Sequence, residues 1–295
     1  MLNIVLPSGS LQKPTAELFS AAGLGLTTTD SRSYEASIDD PRSAKVRWMR
    51  PQEIPLYVAE GLFDIGIGGY DWIQERRCED EIIVVNSLAY SRQTSRPVRL
   101  VIAVSEDAPW EKASDIPANS KVTTEYVEIS RRYFDKLGIP VKIDFSFGAT
   151  EAKVPEIADV AVELTESGSS IRANRLKIID TVMESSTVLM ANKNAWHHPE
   201  KRPKIEEIRT LLLGTLDVRT KVLLKMNVPT ESLEEVLSIL PSMKNPTISK
   251  LAGGESEYWA VESVVERSAI NVLLPQLKAA KAEGILELPI AKIIP

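Results

Sequence analysis

Cysteine is almost absent from this 295-residue chain: Cys78 is the only one. A single thiol excludes intramolecular disulfides and zinc clusters, and it points to a reducing compartment. Histidine is nearly as scarce. The two present, His197 and His198, are adjacent in the proline- and lysine-rich segment 196–203, where solvated linker residues are expected. Ser-His, Cys-His and His-ligated zinc mechanisms therefore have little to stand on. Any reaction here should not need an imidazole base. No basic run appears and the formal charge is −6, so there is no electrostatic footprint for nucleic acid. No apolar run reaches membrane-spanning length, and residues 1–8 lack a basic n-region. A cytoplasmic protein without a signal peptide is the expectation.

Hydrophobic content of 43% and charged content of 26% are those of a globular protein, and the length calls for two or three domains. Strand and helix patterns alternate. Residues 2–7 read as a buried strand, the loop Ser8, Gly9 and Ser10 follows, and Pro14 suits the first turn of the next helix. A strand over 46–50, a helix over 51–60 opened by Pro51, an apolar strand over 62–69 and a helix from Tyr70 to Glu75 continue the order. The glycines of 66–69 are spaced wrongly for a dinucleotide fingerprint. Arg92, Arg96 and Arg99 precede a strand over 100–104, with a crossing into a second lobe near Pro97. Strands over 121–125 and 141–145 flank a helix over 130–137, and a strand over 187–191 returns to the first lobe. Such alternation argues for open α/β sheets with ligands beyond the carboxyl ends of the strands. Two lobes joined by crossing strands make a cleft.

The central stretch is 163–176. An apolar run over 157–162 reads as a strand, and a helical pattern runs from Ile171 to Leu176. Between them lie Glu163, Thr165, Glu166, Ser167, Gly168, Ser169 and Ser170. A strand, a glycine- and hydroxyl-rich turn and a helix N-terminus are equipment for holding phosphate. The two glutamates are acceptors suited to sugar hydroxyls or a magnesium-bound group, so phosphate plus ribose is the ligand this turn would fit. A serine-capped surface loop has the same composition.

Beyond a helix over 205–216 the pattern changes. Val222, Leu224, Met226 and Val228 alternate along one strand, and Leu233, Val236, Leu237 and Leu240 form a helical stripe. Strands over 247–251 and 259–265 flank Gly253 and Gly254, and a helix over 268–282 and a strand over 285–290 follow. The order βαββαβ is ferredoxin-like. Domain boundaries are expected at 1–97 with 186–212 for the first lobe, 98–185 for the second and 213–295 for the C-terminal unit.

These motifs together resemble the long form of ATP phosphoribosyltransferase over essentially the whole chain. The central turn, Glu163-Leu-Thr-Glu-Ser-Gly-Ser-Ser-Ile171, is similar to the family's Asp-Leu-x-Ser-Thr-Gly-x-Thr-Leu. Arg50-Pro-Gln-Glu-Ile-Pro55, Asp64-Ile-Gly-Ile-Gly-Gly-Tyr-Asp71, Gly148-Ala-Thr-Glu151 and the C-terminal stretches 245–248 and 282–289 add further matches. The resemblance implies a two-lobed core like that of periplasmic binding proteins, plus a ferredoxin-like regulatory domain. It implies transfer of 5-phosphoribosyl from phosphoribosyl pyrophosphate (PRPP) to N1 of ATP with Mg2+, the first step of histidine biosynthesis, inhibited by L-histidine in a homo-oligomer, a dimer or hexamer.

By the same resemblance Thr165, Glu166, Ser167, Gly168, Ser169 and Ser170 bind PRPP, and Glu163 orients the ribose, with Glu163 and Glu166 as the catalytic acids. Ser8, Gly9, Ser10, Arg50, Gly69, Tyr70 and Asp71 flank ATP, and Asn227, Thr247 and Ala282 bind histidine. Loop 7–10 lacks the family's lysine and arginine, so Lys13, Arg50, Arg172 or Arg175 is expected to supply charge. Lys281 stands where glycine is frequent. A two-lobed small-molecule sensor is the competing reading. The phosphate turn and the missing signal peptide and DNA-binding segment stand against it.

Overall fold

A computed structural model describes the chain except residues 29, 31, 32, 89, 91–97, 242–244, 253–256 and 295. Arg92, Arg96, the crossing near Pro97, Gly253 and Gly254 lie outside the described residues. Met1–Ser20 and Leu24–Arg209 make one compact unit; Ala21–Gly23 and Thr210–Pro295 make another.

The first unit holds two sheets. In the larger, the strand Leu2–Pro7 lies parallel to both Ser43–Met49 and Ile65–Gly69. Thr187–Asn192 runs antiparallel between Ile65–Gly69 and Ile82–Ser87. Leu2, Ile4, Val5 and Leu6 are buried, as befits a strand covered on both faces. In the second sheet Val160–Thr165 is parallel to Lys121–Thr124, which is parallel to Lys142–Phe145. Val98–Ser105 pairs antiparallel with Val160–Thr165 and with Leu176–Ser185. Ser185 ends one sheet and Thr187 begins the other, so the return crossing is made within three residues, 185–187.

Several expected boundaries move. The helix after Arg50 is Ile54–Ala59, and Pro55, not Pro51, occupies its first turn. The central strand does not span 157–162: Ile157 is exposed, and the strand Val160–Thr165 carries Glu163 and Thr165 within it. Polar residues at a strand end look like loop by composition, but here their backbone pairs with Val98–Ser105. The helix expected over 171–176 is the single turn Ser169–Ala173. Leu176 opens instead a ten-residue strand, Leu176–Ser185. The segment 196–203 is no linker, because Lys193–His197 and Lys201–Leu216 are helices. His197 is exposed and its Nδ1 lies 2.7 Å from the Lys193 carbonyl oxygen.

Asp64 shows how the first sheet is tied down. It is 6% exposed, accepts the Asn3 N–H at 2.8 Å and receives Lys201 Nζ at 2.7 Å. Removing a buried acceptor strands its donors, so Asp64→Ala should lower stability by about 1–3 kcal/mol. Thermal denaturation should show a lower apparent Tm, with activity kept at low temperature.

The second unit is ferredoxin-like. Its sheet runs, in spatial order, Thr247–Lys250, Tyr258–Glu266, Lys221–Pro229 and Glu283–Pro289, all antiparallel. The alternation in 222–228 is realised, with Val222, Leu224, Met226 and Val228 buried. Val236 and Leu240, from the helical stripe, join the same core, and Leu233 and Leu237 pack against it.

Candidate active site

In the first unit the carboxyl ends of the parallel strands border a cavity of about 410 Å³. One wall comes from the larger sheet: Ser10, Leu11, Pro51, Gln52, Gly69, Asp71 and Trp72. The other comes from the second sheet: Val98, Glu125, Tyr126, Glu163, Leu164, Thr165 and Glu166. The crossing residues Ser185, Ser186 and Thr187 close the remaining side. Open α/β sheets place ligands at this edge because backbone ends and loop side chains converge there.

Of the residues expected at PRPP, Glu163, Thr165 and Glu166 line this cavity, and Ser167–Ser170 continue the turn past its lining. Gly168 holds the turn at φ 72°, a left-handed conformation that glycine adopts without a Cβ penalty. Its N–H donates to Thr165 Oγ1 at 2.9 Å, and Ser167 Oγ donates to Ser169 Oγ at 3.0 Å. Thr150, from the Gly148–Glu151 motif, hydrogen-bonds the Glu163 carboxylate. Burial pushes the Glu163 pKa up to about 7, the Thr150 bond opposes this, and the nearby Glu151 and Glu125 charges add to it.

Of the residues expected at ATP, Ser10, Gly69 and Asp71 line the cavity. Ser8 and Gly9 do not: the Ser8 N–H donates to the Met49 carbonyl at 2.7 Å, which fixes the loop that presents Ser10. Arg50 is exposed and is not part of the lining. Tyr70 packs on the core around Val5, Ile54 and Val58, and its hydroxyl accepts from Gln74 Nε2 at 3.0 Å. Of the expected compensating cations, Arg172 stays at the turn, its Nη1 2.9 Å from where a Cβ on Gly168 would sit, whereas Lys13 and Arg175 are engaged by other acids. Lys13 pairs with Glu17 at 3.9 Å, and Arg175 sits near Glu106 and Asp107. Among the described residues no lysine or arginine lines the cavity, whereas Asp71, Glu125, Glu163 and Glu166 do.

Two residues that sequence reasoning missed organise the wall. Asp71 is 3% exposed, with Ser185 Oγ donating to Oδ1 at 2.5 Å and Tyr126 Oη donating to Oδ2 at 2.9 Å. The Tyr126 ring stacks on Trp72 with centroids 4.5 Å apart. Glu75, one turn along the same helix, receives the N–H groups of Glu128 and Ile129, each at 3.0 Å. Trp72 itself packs into the core of the second sheet, with Leu100, Val122 and Val162. Tyr126 was findable, since it follows a strand at its carboxyl end; nothing local marks Ser185.

In the C-terminal unit, Asn227 and Ala282 adjoin: Asn227 is in register with Glu283, the residue after Ala282. Thr247 does not join them. It lies on an edge strand separated from Asn227 by Tyr258–Glu266. Ala282 is buried, so only its backbone borders any ligand there. Lys281 adopts φ 65°, the conformation that explains a frequent glycine at this position, and its ammonium pairs with Glu231 at 2.6 Å.

A family profile described as ATP phosphoribosyltransferase matches residues 50–214, and one described as HisG, C-terminal domain, matches residues 219–292. The ATP phosphoribosyltransferase of Pelotomaculum thermopropionicum is 44% identical over 294 residues, covering 100% of this chain and 99% of its own. That of Koribacter versatilis is 46% identical over 295 residues, covering 99% of each chain. Among solved structures, the ATP phosphoribosyl transferase (HisG:HisZ) complex from Thermotoga maritima aligns with a TM-score of 0.57 at 21% identity. It covers 72% of this chain and 96% of that one. At that identity the likeness is one of fold. No helix among the described residues is long and apolar enough to cross a membrane.

Proposed function

The chain belongs to the ATP phosphoribosyltransferase family, whose reaction opens histidine biosynthesis, and we propose that it carries this reaction out in the two-walled cavity of its first unit. The enzyme joins the 5-phosphoribosyl group of PRPP to N1 of ATP and releases pyrophosphate. The observation that carries the site assignment is the placement of Glu163, Thr165 and Glu166 opposite Ser10, Gly69 and Asp71 across one cavity.

Adenine N1 carries a lone pair and no proton, so no strong base is needed. That agrees with a lining in which histidine has no place. The turn 165–170 holds the 5-phosphate through backbone N–H and hydroxyl donors, and Glu163 accepts from the ribose hydroxyls. Ser10, Gly69 and Asp71 border the nucleotide. Holding N1 in line with the ribose carbon is itself worth much of the rate.

The donor set fits magnesium that enters on the substrate. The lining is acidic, and among the described residues no group of three or more His, Cys, Asp or Glu side chains forms a cage for the ion. Glu163 and Glu166 would face its water shell, as suits an ion that dehydrates reluctantly. Bound to pyrophosphate, it supplies Lewis-acid neutralisation of the leaving group. Its removal by chelation should abolish turnover and leave the apparent Tm of the free protein unchanged.

In the C-terminal unit Asn227 and the Ala282 backbone take L-histidine, with Thr247 supplied from another copy, because one chain does not bring Thr247 to them. The working enzyme is accordingly a homo-oligomer of the cytoplasm. The test is pyrophosphate release from ATP, PRPP and magnesium, with and without histidine, in the full chain and in Asn227→Ala. Release that histidine suppresses, with about 10-fold weaker inhibition in Asn227→Ala, is the expected result; a lost hydrogen bond of about 1.4 kcal/mol gives that factor. Release indifferent to histidine keeps the transferase and removes the regulation.

A further inference from the structure

The acidic lining poses a chemical question: what does a cavity that receives two polyanions gain from Asp71, a carboxylate buried to 3% exposure among aromatic side chains? The reaction answers it. As the N1–C1 bond forms and the bond from the ribose carbon to the pyrophosphate oxygen breaks, its electron pair leaves with pyrophosphate. The N1 lone pair enters the new bond, and the adenine acquires a positive charge shared over N1, C6 and N6. Its N6–H groups stay attached and become stronger donors. A fixed acceptor at that edge stabilises the transition state more than it stabilises neutral ATP.

We propose that Asp71 is this acceptor, a catalytic residue facing the N6 edge of the adenine, and that Tyr126 and Ser185 are its positioning residues. This rests on the reaction and site proposed above. Asp71 is held on both oxygens by hydroxyl donors from distant parts of the chain, at 2.5 Å from Ser185 and 2.9 Å from Tyr126. It also lies beside the stacked rings of Trp72 and Tyr126, both of which border the cavity. Glu163 and Glu166 belong to the turn that takes ribose and phosphate. Burial raises the Asp71 pKa, while its bonds to Ser185 and Tyr126 pull it down. A carboxylate so desolvated gains most from a cation arriving beside it, and little from a neutral base.

The test uses 1-methyl-ATP, whose adenine carries at neutral pH the charge that the reaction creates. Its binding and that of ATP are measured by competition in the full-length wild type, Asp71→Asn and Tyr126→Phe, beside steady-state pyrophosphate release. The wild type should prefer the cation at least about 10-fold. Asp71→Asn should bind both nucleotides alike and lose about 100-fold in kcat with little change in the KM for ATP. Tyr126→Phe, which keeps the ring stack, should lose about 10-fold in kcat and part of the preference. A wild type without preference, or an Asp71→Asn variant that retains it, overturns the proposal. If Asp71→Asn does not fold, Tyr126→Phe decides by the same ratio: a preference unchanged from wild type overturns the proposal. A wild type that binds both nucleotides and releases no pyrophosphate refutes the transferase reading instead, because binding and turnover are read separately.

Discussion

Glu163→Ala is expected to cut kcat/KM for PRPP by at least about 100-fold, since hydrogen bonds to a charged acceptor are each worth roughly 1.5–3 kcal/mol and two ribose hydroxyls lose theirs. The KM for ATP should change little, because Asp71 and Gly69 lie on the opposite wall. Steady-state kinetics with each substrate varied in turn checks both statements, and unchanged PRPP kinetics would remove Glu163 from the site. The ionised form is the one that accepts from hydroxyls, and burial pushes the Glu163 pKa up to about 7. The acid limb of kcat/KM for PRPP should therefore fall near neutrality, and Glu163→Gln should flatten it at a lower plateau.

The same residue predicts a stability trade. In the unfolded chain its carboxyl ionises near the usual 4.5, whereas in the folded protein it ionises near 7. The folded state thus holds this proton over a range in which the unfolded state has lost it. Stability from this group is greatest below about pH 4.5 and declines as the pH rises toward about 7. Glu163→Gln should melt above the wild type at about pH 8, and the gap should close at about pH 5. Melting below the wild type at both values would mean that Glu163 anchors the fold instead.

Gly69→Ala should be nearly as severe for a different reason. The backbone there, φ −74° and ψ 141°, is ordinary for alanine, so conformational strain is not the issue. Contact is: a Cβ would lie 2.2 Å from Asp71 Oδ1 and 3.0 Å from its Cγ. The carboxylate would have to swing away from Ser185 and Tyr126, leaving a buried charge short of donors. That costs roughly 2–3 kcal/mol, or about 3–5 °C in apparent Tm for a chain of this size. Turnover should fall about 100-fold, as for loss of an electrostatic stabiliser. Gly138→Ala is the control. Gly138 has φ +70° with nothing within 4 Å of its Cβ, so that change should cost about 1 kcal/mol of strain and leave turnover intact. Equal activity losses in the two variants would show general destabilisation instead of a misplaced Asp71.

Much of this was legible in the residues. Scarce cysteine and histidine removed whole classes of chemistry before any fold was considered. The alternation over 222–228 foretold a one-sided strand, and its valines, leucine and methionine are buried as the pattern requires. The βαββαβ order is local information too, because strand and helix periods are set by neighbours two to four residues apart. Where polarity and pairing disagree, the reading failed. Glu163 and Thr165 look like loop and are strand, and Leu176 looked like the end of a helix and opens the strand that returns to Ser185.

Residue order over short spans was enough for the α/β class, the glycine- and hydroxyl-rich turn at 165–170 and the ferredoxin-like unit, since each depends on near neighbours. Tertiary structure alone decided that Asp71 meets Tyr126, 55 residues away, and Ser185, 114 residues away. It likewise decided that Thr150 reaches Glu163 and that Arg50 stays off the cavity wall. Those meetings follow from the order of strands in two sheets and from a crossing at 185–187. Side-chain period carries no record of either, because it reports which face a residue takes and not which distant strand lies beside it.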